Sequence, residues 1–337
     1  MADSTLPPFI QALLKPETYP HLAPEITLVQ THISYVLLAG DFVYKIKKPV
    51  DFGFLNFTTL EKRKHFCEEE LLLNRRLCPS LYLGLVAVTE QNGNFSLDGA
   101  GTQVEYAVKM ARMPEERMMA KVIAQGGLSK EIIDRIIAIL VPFYAKAETG
   151  SAIEQFGTAQ AVSVNVLENF EQTQGFIGCT ALSQAQFDTI SGYARAFLGK
   201  EDLFAARVAA GRVRDCHGDL YSANICLADE IYIYDCIEFN QRFRYCDVAS
   251  DVAFLAMDLD FHGLPELSAY FIDRFCQAAG DITLLPMLNF YKCYRAYVRG
   301  KIGLFTAHAP EVDPATSENC LALAKKYFAL AERYAAA

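Results

Sequence analysis

An α+β chain is what this sequence predicts, with a β-rich first third ahead of a mainly helical remainder. Two observations carry that reading. Residues 26 to 46, ITLVQTHISYVLLAGDFVYKI, are rich in β-branched and aromatic residues around a Gly40-Asp41 turn signal. Beyond Pro114 the period changes, and IIDRIIAILVPFYA sets Ile132, Ile133, Ile136, Ile137, Leu140 and Tyr144 on one helical face.

Each element has its own signal. Thr58 and Glu61 form a capping box that opens a helix through EKRKHFCEEELLLNRRL to about Leu77, where Pro79 stops it. LYLGLVAVTE and TQVEYAVKMARM then read as strands separated by the turn-rich QNGN and DGAG. Ser183 with Gln186 opens a later helix, and Asp313 before Pro314 caps the last one. Only the stretch from Ile225 to Tyr234 interrupts the helices: ICLA and IYIY flank Asp229-Glu230 as a short hairpin. The expected division is residues 1–110 as an N-terminal lobe and 111–337 as a helical C-terminal lobe.

Composition excludes several classes. The 337 residues are 52% apolar, which suits a folded chain and not a disordered one. With 31 basic against 40 acidic residues the net charge is -9, so the basic excess needed to bind phosphate backbones is missing and nucleic acid is not the expected partner. The ten cysteines include no CxxC pair and no zinc spacing, and read as reduced core thiols of a cytoplasmic protein. MADSTLPPFIQALLKP lacks the pattern of a secretory leader, and no run reaches the roughly 18 apolar residues of a membrane span, so no membrane association is expected. Nothing in the sequence identifies a protein partner.

The chemistry concentrates in CHGDLYSANI, residues 216 to 225, followed by the apolar run to Asp235. Phosphoryl transfer needs a carboxylate to orient a hydroxyl and a sparse set of oxygens to hold Mg²⁺ on phosphates. Asp219, Asn224 and Asp235 can supply these. A strand lysine aimed at the phosphates and a helix glutamate that holds it are also required. FVYKIKK offers Lys45, Lys47 and Lys48; alternation puts Val43, Lys45 and Lys47 on one face and removes only Lys48. CEEELLLNRRL offers Glu68, Glu69 and Glu70.

His217-Gly218-Asp219-Leu220, then Asn224, then a strand ending in Asp235, resembles the catalytic and metal-binding segment of the aminoglycoside phosphotransferase-like kinases, in a bacterial, largely uncharacterised branch sometimes fused to a P-loop kinase domain. That resemblance implies the two-lobed protein-kinase-like fold and dependence on ATP and Mg²⁺. It makes Asp219 the catalytic residue, Asn224 and Asp235 the metal ligands, and His217 a brace. Val43-Tyr44-Lys45 is similar to the kinase lysine strand and favours Lys45, with Val43 against the adenine and Lys47 as fallback or as a solvated edge lysine. The Glu before an apolar run favours Glu70. THISY stands where the phosphate loop belongs; it has no GxGxxG, so Thr31 and Ser34 bring hydroxyls instead. YAVKMARM resembles the adenine-binding hinge, with Met110 at its centre. Asp247 and Asp251, ahead of an apolar helix, resemble the family's later acidic segment and are expected to cap or brace. No GxxxxGK[ST] occurs, so a P-loop activity is not expected from this sequence.

The acceptor is a small-molecule hydroxyl of unfixed charge. A cationic acceptor would use acids such as Glu238, Asp258 and Asp260. An anionic one would use a basic face on FYKCYRAYVRGKIG, where Tyr291, Arg295 and Arg299 recur at i, i+4, i+8 with Lys292, Lys301, Arg242 and Arg244 nearby. Two other readings stand beside a small-molecule kinase: a nucleotide-binding pseudokinase or regulatory module, and a protein kinase. The absent GxGxxG, DFG and APE signatures disfavour the last.

Overall fold

The structure, a computed structural model, describes residues 6–310 and 312–337; Glu311 and the first five residues, part of the stretch read for a leader, lie outside the described residues. The chain divides into two compact units, Met1–Met118 with Cys226–Gln241, and Met119–Ile225 with Arg242–Ala337. The division therefore falls at Met118 and not at residue 110, and the hairpin segment leaves the helical part. The cause is local bonding: Met118 bridges Cys226 in antiparallel fashion, the Cys78 thiol donates to the Ile233 carbonyl at 3.3 Å, and Tyr232 and Tyr234 pack on the cluster around Cys67, Leu71 and Tyr82.

The first unit is built on a six-stranded antiparallel sheet. Its strands are β1 (Ile26–Gln30), β2 (Ser34–Ala39), β3 (Phe42–Lys47), β4 (Tyr82–Gln91), β5 (Asn94–Leu97) and β6 (Thr102–Ala111), in the order β1-β2-β3-β6-β4-β5. The predicted β2-β3 turn uses Gly40 at φ 59°, where a Cβ would lie 2.4 Å from the Leu22 carbonyl oxygen, so only glycine fits. Alternation along β3 sends Tyr44 and Ile46 into a core with Ile10, Leu13 and Leu37. Val43 points to the other face, against Cys67, Leu71 and Tyr82.

The helix Leu60–Asn74 covers that second face. Its cap is Thr59, whose hydroxyl accepts from Lys62 N at 3.3 Å, and not the predicted Thr58. Thr58 already donates its hydroxyl to Asn56 Oδ1 at 2.7 Å. The helix ends three residues before Leu77 because Leu77 N and Cys78 N both turn back to the Asn74 carbonyl.

The second unit is helical apart from a short pairing of Val213–Asp215 with Tyr245–Asp247. Its centre is the helix Val248–Phe261, buried along nearly its whole length. Helix Pro265–Ala279 and the long helix Leu285–Ala307 pack on it. The long helix lies against Pro314–Ala336 so closely that a Cβ on Gly300 would stand 2.8 Å from the Phe328 ring. The predicted capping box at Ser183 and Gln186 and the Asp313 cap are both present. Helix Lys130–Lys146 buries Ile133, Ile136, Ile137, Leu140 and Tyr144, as its period requires. Among the described residues no single helix is long and apolar enough to cross a membrane.

Candidate functional site

In the first unit, β3 presents Lys45 and Lys47 to the same carboxylate. Lys45 Nζ lies 2.8 Å from Glu70 Oε1 and 2.6 Å from Asp235 Oδ1. Lys47 Nζ lies 2.7 Å from Glu70 Oε2 and is bonded to Glu238 as well. Of the three consecutive acids, Glu70 is the buried one because it shares the covered side of its helix with Arg63, Cys67, Leu71 and Asn74.

Charge buried this deeply is tolerated only when paired. Burial alone would push the Glu70 carboxyl up, but Lys45 and Lys47 pull it down to about 2. Burial works against the Lys45 charge, which Asp235 and Glu70 nonetheless hold well above the ordinary lysine range. For Glu238, burial outweighs Lys47 and leaves its carboxyl raised. Two expectations are overturned here. Lys47 is not a solvated edge lysine, being 1% exposed. Glu238 is not an acid open to substrate: a buried ammonium needed a second carboxylate, and Glu238 supplies it.

The surrounding groups hold this cluster in place. Asn74, fully buried, donates through its side-chain amide to the Glu70 carbonyl and accepts from Cys236 N, both at 2.9 Å. Asp235 sits at φ 63°, a left-handed conformation uncommon outside glycine, with its backbone N–H donating to the Tyr82 hydroxyl at 3.3 Å. Thr31 Oγ1 accepts from Ile33 N and Ser34 N, which closes the turn between β1 and β2. Ser34 stands opposite Lys47 in the β2-β3 register, and its buried Oγ has no hydrogen-bond partner among the described residues. Val43 and Met110 face each other across β3 and β6.

The second unit holds the loop 216–224. Its supports are buried carboxylates that accept from backbone N–H groups. Asp251, fully buried, accepts from His217 N at 2.7 Å and from Gly218 N at 2.9 Å. Asp258 accepts from Ser222 N at 2.9 Å. His217 is equally buried and its Nδ1 accepts from Asp219 N at 3.2 Å, the geometry of a brace. Asn224 donates to both the carbonyl and Oδ2 of Asp219 at 3.0 Å. Asp247 caps its helix through Ala249 N and also takes a two-pronged contact from Arg207 at 2.6 and 2.8 Å. Asp251, expected to cap or brace, takes the brace's part: a carboxylate one turn inside an otherwise apolar helix must find donors, and the loop amides are its donors.

Most of the predicted basic face turns inward. Arg295 is buried and donates to the Gly218 carbonyl at 3.0 Å, with Asp251 at 3.8 Å, so it supports the loop and is withdrawn as a substrate residue. Lys292 is occupied by Asp260 at 2.9 Å, and Arg244 by Asp215 at 2.5 Å. Arg242 pairs with Glu168 at 2.6 Å. The spacing was read correctly as one helical face; that face meets the core because the helix is packed on two sides. Arg299 differs: its guanidinium lies over the Tyr221 ring at 4.7 Å, and no carboxylate lies at ion-pair distance among the described residues.

Each unit by itself carries donors of the kind a nucleotide or its metal takes. Lys45 and the free Ser34 hydroxyl suit phosphate oxygens, Asp235 is 41% exposed at its side chain, and Asn224 uses only its amide nitrogen on Asp219. Among the described residues no three His, Cys, Asp or Glu side chains gather as a metal cage. Mg²⁺ on phosphates takes only one or two protein oxygens, so a sparse set is no obstacle.

No known family profile matches the chain. Uncharacterized proteins of Mycobacterium tuberculosis and Mycobacterium bovis are 34% identical to it over 281 residues, covering 83% of this chain and 55% of each relative. The chain thus spans about half the length of the curated relatives it matches. Among solved structures, a choline/ethanolamine kinase family protein from Mesorhizobium loti superposes with a TM-score of 0.53 at 12% identity, over 98% of this chain and 99% of that one. An amicoumacin kinase does so at 0.54 and 12% identity, over 94% and 89%. The antiparallel sheet with its covering helix and the mainly helical remainder give this chain the α+β fold of those two kinase structures.

Proposed function

We propose that this chain is an ATP- and Mg²⁺-dependent phosphotransferase acting on a small-molecule hydroxyl. The observation that carries the reading is Lys45 held between Glu70 at 2.8 Å and Asp235 at 2.6 Å on the central strand of the sheet. That trio is what positioning of a nucleoside triphosphate calls for.

Lys45 and Ser34 would receive the phosphates, Val43 and Met110 the adenine, and Asn224 and Asp235 are the residues that would offer oxygens to Mg²⁺. The metal supplies neutralisation of the charge that develops on the phosphate oxygens. Asp219 accepts the proton of the acceptor hydroxyl as its oxygen bonds to the γ-phosphorus. The bond from that phosphorus to the β,γ-bridging oxygen breaks, and ADP leaves. Asn224, donating to Asp219 Oδ2 at 3.0 Å, keeps that carboxylate oriented. The solved amicoumacin kinase holds AMP-PNP and Ca²⁺, which supports a nucleotide with a divalent ion here. Ten cysteines, with none in a disulfide among those described, support a reducing, cytoplasmic setting.

The test is transfer of label from γ-labelled ATP to small molecules of a metabolite extract, with Mg²⁺ present. Transfer that disappears in Asp219→Asn while nucleotide binding persists supports the proposal. Undiminished transfer by that variant would sink it. Nucleotide binding without transfer to any acceptor would point to a regulatory module.

A further inference from the structure

Within the second unit, the acids expected to receive a cationic acceptor are already engaged. Asp258 accepts from Ser222 N at 2.9 Å. Asp260 is held by Lys292 at 2.9 Å and by the Tyr334 hydroxyl at 2.5 Å. Both acids therefore already serve partners within the unit. The cations of the long helix tell the opposite story for one residue. Lys292 and Arg295 are consumed by Asp260 and the Gly218 carbonyl, and Lys301 donates to Gln172 at 2.8 Å.

Arg299 is left over. Its guanidinium lies over Tyr221, two residues beyond Asp219, at 4.7 Å, and beside the Tyr327 ring at 5.9 Å. Tyr221 is itself backed by the Phe254 ring at 5.3 Å and 9°. The guanidinium is thus fixed in direction by stacked rings while its buried Nε has no hydrogen-bond partner among the described residues. Burial disfavours its charge, yet Tyr221, Tyr327 and the Asp219 carboxylate hold it above the ordinary arginine range. The guanidinium also hydrogen-bonds the Tyr327 side chain, and a planar cation so held, with no carboxylate at ion-pair distance among the described residues, is a receptor for an oxyanion.

We infer that the acceptor carries a carboxylate or phosphate group, which Arg299 binds so that the acceptor's hydroxyl is delivered to Asp219. This rests on the phosphotransferase reading and adds the chemical class of its substrate. Arg299 is a specificity residue; the proton still goes to Asp219.

The test separates a metabolite extract by ion exchange into anionic, cationic and unretained fractions and measures label transfer from ATP with each. Transfer in the anionic fraction is expected, with half-saturation raised about ten- to a hundred-fold in Arg299→Gln. Turnover at saturation should change little, and Arg299→Lys should recover part of the loss. If Arg299→Gln fails to fold, Arg299→Lys is the variant read, and a raised half-saturation at unchanged melting temperature is required of it. Phosphatase treatment of the anionic fraction distinguishes the two oxyanions, abolishing transfer if the acceptor bears a phosphate ester and sparing it if a carboxylate. Transfer confined to the cationic or unretained fraction overturns the inference and leaves the phosphotransferase reading intact. Transfer in no fraction overturns both, and unaltered half-saturation in the variants overturns the role of Arg299.

Discussion

The two units support their functional residues in different ways. In the first, side chain meets side chain: Lys45, Lys47, Glu70, Asp235 and Glu238 form one ladder of ion pairs. In the second, buried carboxylates accept from backbone, and the loop around Asp219 is shaped by Asp251 and Asp258 taking the amides of His217, Gly218 and Ser222. A ladder of ion pairs responds to protonation and to a competing phosphate, so it can be reorganised by a ligand. A loop pinned through its amides fixes the direction of a single carboxylate and has little freedom to respond.

That contrast can be tested from the strongest effect downward. Asp219→Asn removes the proposed proton acceptor without disturbing the pins, and transfer should fall by about 10²- to 10⁴-fold in a label-transfer assay while the melting curve stays in place. Asp251→Ala removes the pins themselves. It leaves two backbone donors and the buried Arg295 without their carboxylate, and should cost about 3–5 kcal/mol in denaturant unfolding.

In the ladder, Glu70→Gln should destabilise by about 2–4 kcal/mol, and more than Glu238→Gln, because Glu70 serves both lysines. Its pH signature follows from the sign of the shift. Glu70 falls from an ordinary 4.5 to about 2 in the folded protein, so its stabilisation is full above pH 4.5 and lost as pH drops toward 2. Unfolding curves across that window should flatten in Glu70→Gln. Glu238, raised by burial, acts with the opposite sign and in the window above pH 4.5, where its cost grows as pH rises, so Glu238→Gln should flatten the decline of stability there.

The smallest effect is expected at Lys301, outside both systems. Burial lowers it from 10.5 to about 8, so the folded protein bears the cost of its charge fully below pH 8 and sheds it by pH 10.5. Lys301→Met should raise stability at pH 7 by about 1 kcal/mol or less, a gain that fades by pH 10.5 in thermal melts.

Much of this was legible in the chain. Period-two alternation on β3 placed Lys45 and Lys47 together and against Tyr44 and Ile46, and hairpin, cap and amphipathic signals located the elements. The spacing of Asp219, Asn224 and Asp235 marked the residues on which the proposed chemistry rests. What stayed hidden depended on partners far away in sequence. Glu238 meets Lys47 across 191 positions, through a hairpin that joins the sheet-bearing unit, and no local pattern reports that. The arginine row was found by its period, but a period names a face without saying what covers it, and for Arg295 the cover is the loop of Asp219. The Thr58 and Thr59 choice was settled by Asn56, two residues upstream, taking one hydroxyl out of contention.

One side chain among these joins two parts of the first unit: Asn74, which also donates to the Glu70 carbonyl of its own helix, ties that helix to the backbone directly after Asp235 by accepting from Cys236 N. Displacing that helix loads this one hydrogen bond, so Asn74 links the place of Glu70 to the backbone beside Asp235. The flexible Lys45 side chain, by contrast, can exchange one carboxylate for another ligand without moving either support.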